Sequence, residues 1–144
     1  MIVSLLLAGL LTGNEMGTLL AVHPAIRTLP VREQVTMEQA LTRRYLVIMP
    51  VLMVGTIVSA FLAGFGATGP SRPMLLAAGT LYCLMLGITL VGNMTLNVAT
   101  LRTVPTEATL SSWRSIRRRW DLLHIGRVGL DLSGFVLVAI AATR

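Results

Sequence analysis

Six residues with functional side chains recur at helical spacing near the C-terminal end of the chain: Trp113, Arg117, Trp120, His124, Arg127 and Asp131, separated by four, three, four, three and four residues. Such spacing lines one face of a continuous helix. A neutral imidazole on that face suits proton abstraction, and a guanidinium beside it suits a developing oxyanion or a buried carboxylate. Two more polar sets stand in apolar surroundings: Asn14, Glu15 and His23 near the start, and Asn93 with Asn97 in "GNMTLN". Cys83 is the one cysteine and lies in an apolar run, so neither a disulfide framework nor a CxxC metal or redox motif can be drawn.

Each set also has a plainer meaning. Arg127 and Asp131 can be an i,i+4 pair, and Asn93 and Asn97 can join helices by hydrogen bonds. Trp113, Trp120 and Tyr45 can form an interfacial aromatic belt. Gly9, Gly13 and Gly17, spaced by four, read as a small-residue ridge for close helix packing.

The elements that must position these residues are membrane helices. Of the 144 residues, 54% are hydrophobic and 12% charged, a balance far from that of a soluble domain. Four apolar segments, at about residues 2–22, 45–68, 74–98 and 122–142, each approach the ~20 residues that span a bilayer. The expected fold is all-α: a single integral membrane domain over 1–144, a four-transmembrane-helix bundle with longer connections at 23–44 and 99–121. Pro24 and Pro30 are expected to end the first helix, and "GFGATGPSRP" makes a tight turn between the second and third. The first segment has no basic n-region and carries Asn14 and Glu15, so it reads as a retained helix rather than a secretory signal.

All twelve basic residues are arginines, and the net charge is +6. Nine lie in the two long connections, while only Arg72 and Arg144 lie on the other side. The positive-inside rule therefore places both connections in the cytoplasm and both termini outside. A basic rim beside anionic headgroups accounts for the charge with the lipid bilayer as partner and no nucleic acid. Glu15 and Asp131 then lie at similar depth, each about 12 Å inside its helix mouth. A stripe of ionisable groups at that depth must face the bundle interior or a polar cavity.

The "NE" of the first helix followed by "HP…LP", "GNMTLN" closing the third, and "W…RRRWDLLHIGR" opening the fourth resemble the anthrone oxygenase-like family of small four-helix membrane proteins. The resemblance spans essentially the whole chain. Many relatives place a proline between the two asparagines, where this chain has Met94 and Thr95. It implies a monooxygenase converting an apolar, anthrone-like aromatic, of polyketide type, to a quinone with molecular oxygen, without a metal or other required cofactor. The same resemblance gives His124 or His23 as base, with Arg127, Asn93 and Asn97 stabilising the enolate oxygen. Trp120, Glu15, Asn14 and Asp131 complete the substrate site.

Other classes stay open at this point. His23 and His124 on facing helices could be axial ligands of a haem. A membrane-embedded glutamate in the first of four helices also occurs in small multidrug-type transporters, although their loops are short. An accessory membrane subunit and a homo-oligomer are compatible with the sequence. The expected location is the cell membrane, multi-pass, with the site opening toward the cytoplasmic side. Cysteine labelling is expected to find positions 32 and 114 cytoplasmic and both termini outside; the reverse pattern would overturn this orientation.

Overall fold

The structure is a computed structural model and describes residues 1–106 and 110–144. Residues 107–109 of the second connection lie outside the described residues. It is all-helical among these, with no strand. Four helices are long and apolar enough to cross a membrane. The first comprises α1 (Ile2–Gly17), a wide π-turn over Thr18–Val22 and α2 (His23–Arg27). The second is α3 (Val31–Gly66). The third comprises α4 (Ser71–Ile88), a π-turn over Thr89–Asn93 and α5 (Met94–Arg102). The fourth is α6 (Leu110–Ala142).

The connections expected at 23–44 and 99–121 are therefore largely helical. α3 has 36 residues, about 54 Å at 1.5 Å per residue, so its first turns extend well past a ~30 Å hydrocarbon core. Polar composition misleads here, because "REQVTMEQALTRR" is a good helix former that happens to lie outside the apolar layer. The first helix likewise runs through Pro24 to Arg27 instead of stopping at Val22. Pro24 lacks an N–H and clashes with the carbonyl four residues back; the π-turn just before it opens the ladder at that point.

The spans pack in sequence order around a closed ring: α1 lies against α3 and α6, and α4 against the same two. At one end the core is apolar, built from Ala8, Leu11, Met53, Leu75, Tyr82, Met85 and Val138. Leu6, Leu10, Val51, Leu62, Phe65 and Val91 are exposed, which leaves an apolar outer surface suited to lipid. At the other end the interior is polar, and the π-turns of the first and third spans flank it. Eight residues at about 100° each would set His23 about 80° around the helix from Glu15; the extra residue in the wide turn cuts that to about 20°. Glu15 and His23 therefore share a face.

Close approach of helices is mediated by other glycines than expected. Added Cβ atoms at Gly13 and Gly17 would meet nothing within 4 Å, and at Gly9 only an ordinary contact with Phe135. The first helix presents that ridge away from its neighbours because Ser4, Ala8, Leu11, Thr12 and Glu15 occupy the inward face. The tight points are Gly64 against Leu76, Gly79 against Phe61, Gly92 against Leu123 and Gly134 against Tyr82. Between α3 and α4, Gly69 takes a positive φ of 61° that a side chain would resist.

A Cβ on Gly134 would lie 2.8 Å from the ring of fully buried Tyr82. Gly134→Ala is expected to cost about 1–3 kcal/mol through overpacking, seen as a lower thermal midpoint in detergent. Gly13→Ala should leave the midpoint unchanged or raise it; equal loss in both variants would contradict this packing.

Candidate functional site

The stripe on α6 faces inward. Trp113, Trp120, His124, Arg127 and Asp131 are all buried and Arg117 is nearly so. The two tryptophans are thus not a lipid-facing belt: Trp113 donates from Nε1 to Gln34 at 3.4 Å, and Trp120 to the Asn97 side-chain oxygen at 2.9 Å. The Arg117 guanidinium lies over both rings, 4.6 Å from Trp120 and 5.9 Å from Trp113.

Two histidines meet at the centre of this region. His124 Nδ1 lies 3.1 Å from Glu15 Oε2, at ion-pair distance although off the line of a good hydrogen bond. The other Glu15 oxygen accepts from Arg127, so one carboxylate of the first span ties two residues of the fourth. His23 Nδ1 lies 2.9 Å from Glu38 Oε1, and Arg117 reaches the same oxygen at 3.0 Å. Arg117 also approaches His23 Nδ1 at 3.1 Å. One assignment satisfies all three groups: Nδ1–H and the guanidinium both donate to the carboxylate, which leaves His23 Nε2 as acceptor. The two imidazoles stand edge to face, 5.8 Å between centroids, and Trp120 packs against each at 4.6 Å.

Both Nε2 atoms are buried and have no partner among the described residues. The two histidines line a cleft. Polar walls come from Asn14, Glu15, His23, Asn97 and Arg127, and apolar ones from Met49, Met53, Leu86 and Met94. Thr18 and Tyr45 add a pair of hydroxyls 3.1 Å apart. The wall includes Pro50 and Leu90, which are exposed on the outer surface of the second and third spans.

Seven of the residues expected from sequence line this cleft: Asn14, Glu15, His23, Asn97, Trp120, His124 and Arg127. Two do not. Asn93 is wholly buried beside it, and among the described residues neither of its amide atoms has a partner. Asp131 is wholly buried one turn deeper, and neither of its oxygens has a hydrogen-bond partner among the described residues. The i,i+4 pairing of Arg127 with Asp131 is not formed, since the Glu15 carboxylate takes the guanidinium instead.

Glu38 is the residue that sequence reasoning passed over. It sits in the basic rim among Arg32, Glu33, Arg43 and Arg44, where charge is unremarkable. The available signal was the face Val35, Glu38, Thr42 and Met49, which continues the buried stripe of α3 outward at helical spacing. Among the described residues, no group of three or more His, Cys, Asp and Glu converges as a metal site.

Fold and site together define a small four-span membrane protein with a buried ionic cluster at one end of an apolar cleft. A model of the anthrone oxygenase family matches residues 37–137, and the chain belongs to that family. Membership suggests an oxygenase-like function. Glu15 and His23 lie before the matched segment, so two of the six ionisable residues of the cluster come from outside it. No curated protein and no solved structure matches the chain.

Removing one member of a buried ion pair leaves an uncompensated charge. Arg127→Leu is expected to cost about 3–5 kcal/mol, read as a fall in thermal midpoint, and Glu15→Leu in the same chain should recover much of it. A single variant as stable as the parent would mean that Arg127 does not hold the Glu15 carboxylate.

Proposed function

We propose that the protein oxidises an apolar, anthrone-like aromatic with molecular oxygen inside this cleft, with His124 as the base. The observation that carries the proposal is the pair of glutamate-backed histidines whose outer nitrogens are free beside an apolar cavity. In an anthrone the methylene between two aromatic rings is acidified by the conjugated carbonyl, so a positioned imidazole can remove its proton. The Glu15 carboxylate, 3.1 Å from Nδ1, is placed to stabilise the imidazolium, and Arg127 pairs with its other oxygen.

The enolate oxygen needs donors fixed in advance. Asn97 is well suited: its carbonyl oxygen is committed to Trp120, which leaves the NH₂ group to donate. The Tyr45 hydroxyl beside Thr18 is a second. Asn93 and Asp131 are not given contact with substrate on this reading; they hold the interior beside the site. The enolate then reduces dioxygen and forms the carbon–oxygen bond. The peroxide so made takes up the proton that His124 removed. Loss of water, with the second methylene hydrogen, gives the quinone. One oxygen atom ends in the new carbonyl and the other in water, so substrate and dioxygen balance without another reductant.

Pro50 and Leu90 at the mouth support entry from the bilayer, as an apolar polycycle requires. The arginine-rich ends of the helices support a cell-membrane location with this end toward the cytoplasm. No cofactor is part of the proposal. Trp120 packed against both imidazoles supports a ring-stacking substrate over a porphyrin held between them.

His124→Ala and His124→Gln are each expected to lower anthrone-dependent oxygen uptake by purified protein at least 10²-fold, the lower range for a lost general base, with thermal midpoint retained. Near-parental uptake in both would pass the role of base to another group. A Soret band in the parent that the variants lose would make His124 a haem ligand and sink the cofactor-free mechanism.

A further inference from the structure

The cleft carries the same device twice. His124 is backed by Glu15 and Arg127, and His23 by Glu38 and Arg117; in each case Nδ1 lies at ion-pair distance from the carboxylate, the carboxylate meets the guanidinium, and Nε2 has no partner among the described residues. One base is enough to remove a proton from carbon. The second half of the reaction asks for more, because breaking the oxygen–oxygen bond requires an acid for the leaving oxygen while a base takes the last hydrogen from the same carbon.

Resting on the oxygenase reading above, we infer that His23 is the acid of this second step and that Glu38 is the residue that positions it. After the carbon–oxygen bond has formed, the carbon carries one hydrogen and a hydroperoxide. His124 takes that hydrogen as a proton. Its electron pair becomes the second bond of the carbonyl, and the oxygen–oxygen bond breaks. His23, which enters this step as the imidazolium with its Nδ1–H on Glu38, gives its Nε2 proton to the distal oxygen, which leaves as water instead of hydroxide. His124 ends protonated and His23 neutral, and a proton passed between the two rings, 5.8 Å apart at their centroids, resets both.

Which histidine takes which role follows from what lies behind each. Glu15 and Arg127 are sealed in the interior. Behind His23, Arg117 reaches Asp121 at 3.7 Å, and Asp121 is paired with Arg27 at 2.6 Å, whose side chain is 53% exposed. The His23 set thus leads to the aqueous rim, the side from which His23 is first protonated. Among the described residues no ion pair joins the His124 set to the rim, and it suits carbon, where water must be kept away from the enolate.

The test follows anthrone loss, oxygen uptake, hydroperoxide and quinone separately in purified His23→Gln and Glu38→Gln, with thermal midpoints recorded. Glu38→Gln keeps the shape of the side chain and secures the test if His23→Gln does not fold. Each variant is expected to slow quinone formation at least tenfold more than anthrone loss, with the missing product recovered as hydroperoxide. A merely structural role would slow both alike, and that result would overturn the inference. So would quinone appearing as fast as anthrone disappears, because the hydroperoxide then collapses without an acid. No anthrone-dependent oxygen uptake in the parent protein would instead overturn the oxygenase reading, and this inference with it.

Discussion

The buried contact of Glu15 with Arg127 and His124 is the constraint on which the rest of the structure depends. A carboxylate and a guanidinium in the interior of a membrane bundle are tolerable only if each satisfies the other. These two come from the first and last helices, so their pairing fixes the rotation of α1 and α6 about their own axes. That rotation turns Trp113, Trp120 and Asp131 inward with Arg127. It also brings Thr12 and Leu11 into the core and turns Gly13 outward.

The π-turns serve the same constraint at the level of the backbone. A regular helix carrying Glu15 inward would carry His23 partly toward the neighbouring lipid; the wide turn at Thr18–Val22 restores the register and accommodates Pro24 in one stroke. On the third span Asn97 lines the cleft, while Asn93, at the end of the turn over Thr89–Asn93, is buried beside it. Wide turns of this kind concentrate at functional sites because each inserted residue re-aims the side chains that follow.

Much of this was legible in the sequence because membrane interiors make ionisable residues conspicuous. Glu15, His124 and Arg127 stand out in apolar runs, and the spacing of four and three residues on the fourth helix predicts their common face. The four spans followed from length and hydropathy. Three things were hidden, each for a physical reason. Glu38 is one acidic residue in a charged rim, where only its alignment with Val35 and Thr42 marks it as inward-facing. Helical spacing shows that Arg127 can reach Asp131 but not that a carboxylate on another helix competes better. Helical spacing puts Asn93 and Asn97 on one side of the third span, but not which of the two meets the cleft and which is buried beside it.

The most direct measurement of the central claim uses isotopically labelled dioxygen with the purified protein and anthrone. The proposed chemistry places one labelled atom in the new quinone carbonyl and the other in water. Quinone formed faster than in a protein-free control, with one labelled oxygen per molecule, is the result expected. Quinone whose new oxygen is unlabelled, or a rate no greater than the control, would contradict the assignment of this buried cluster to oxygenation.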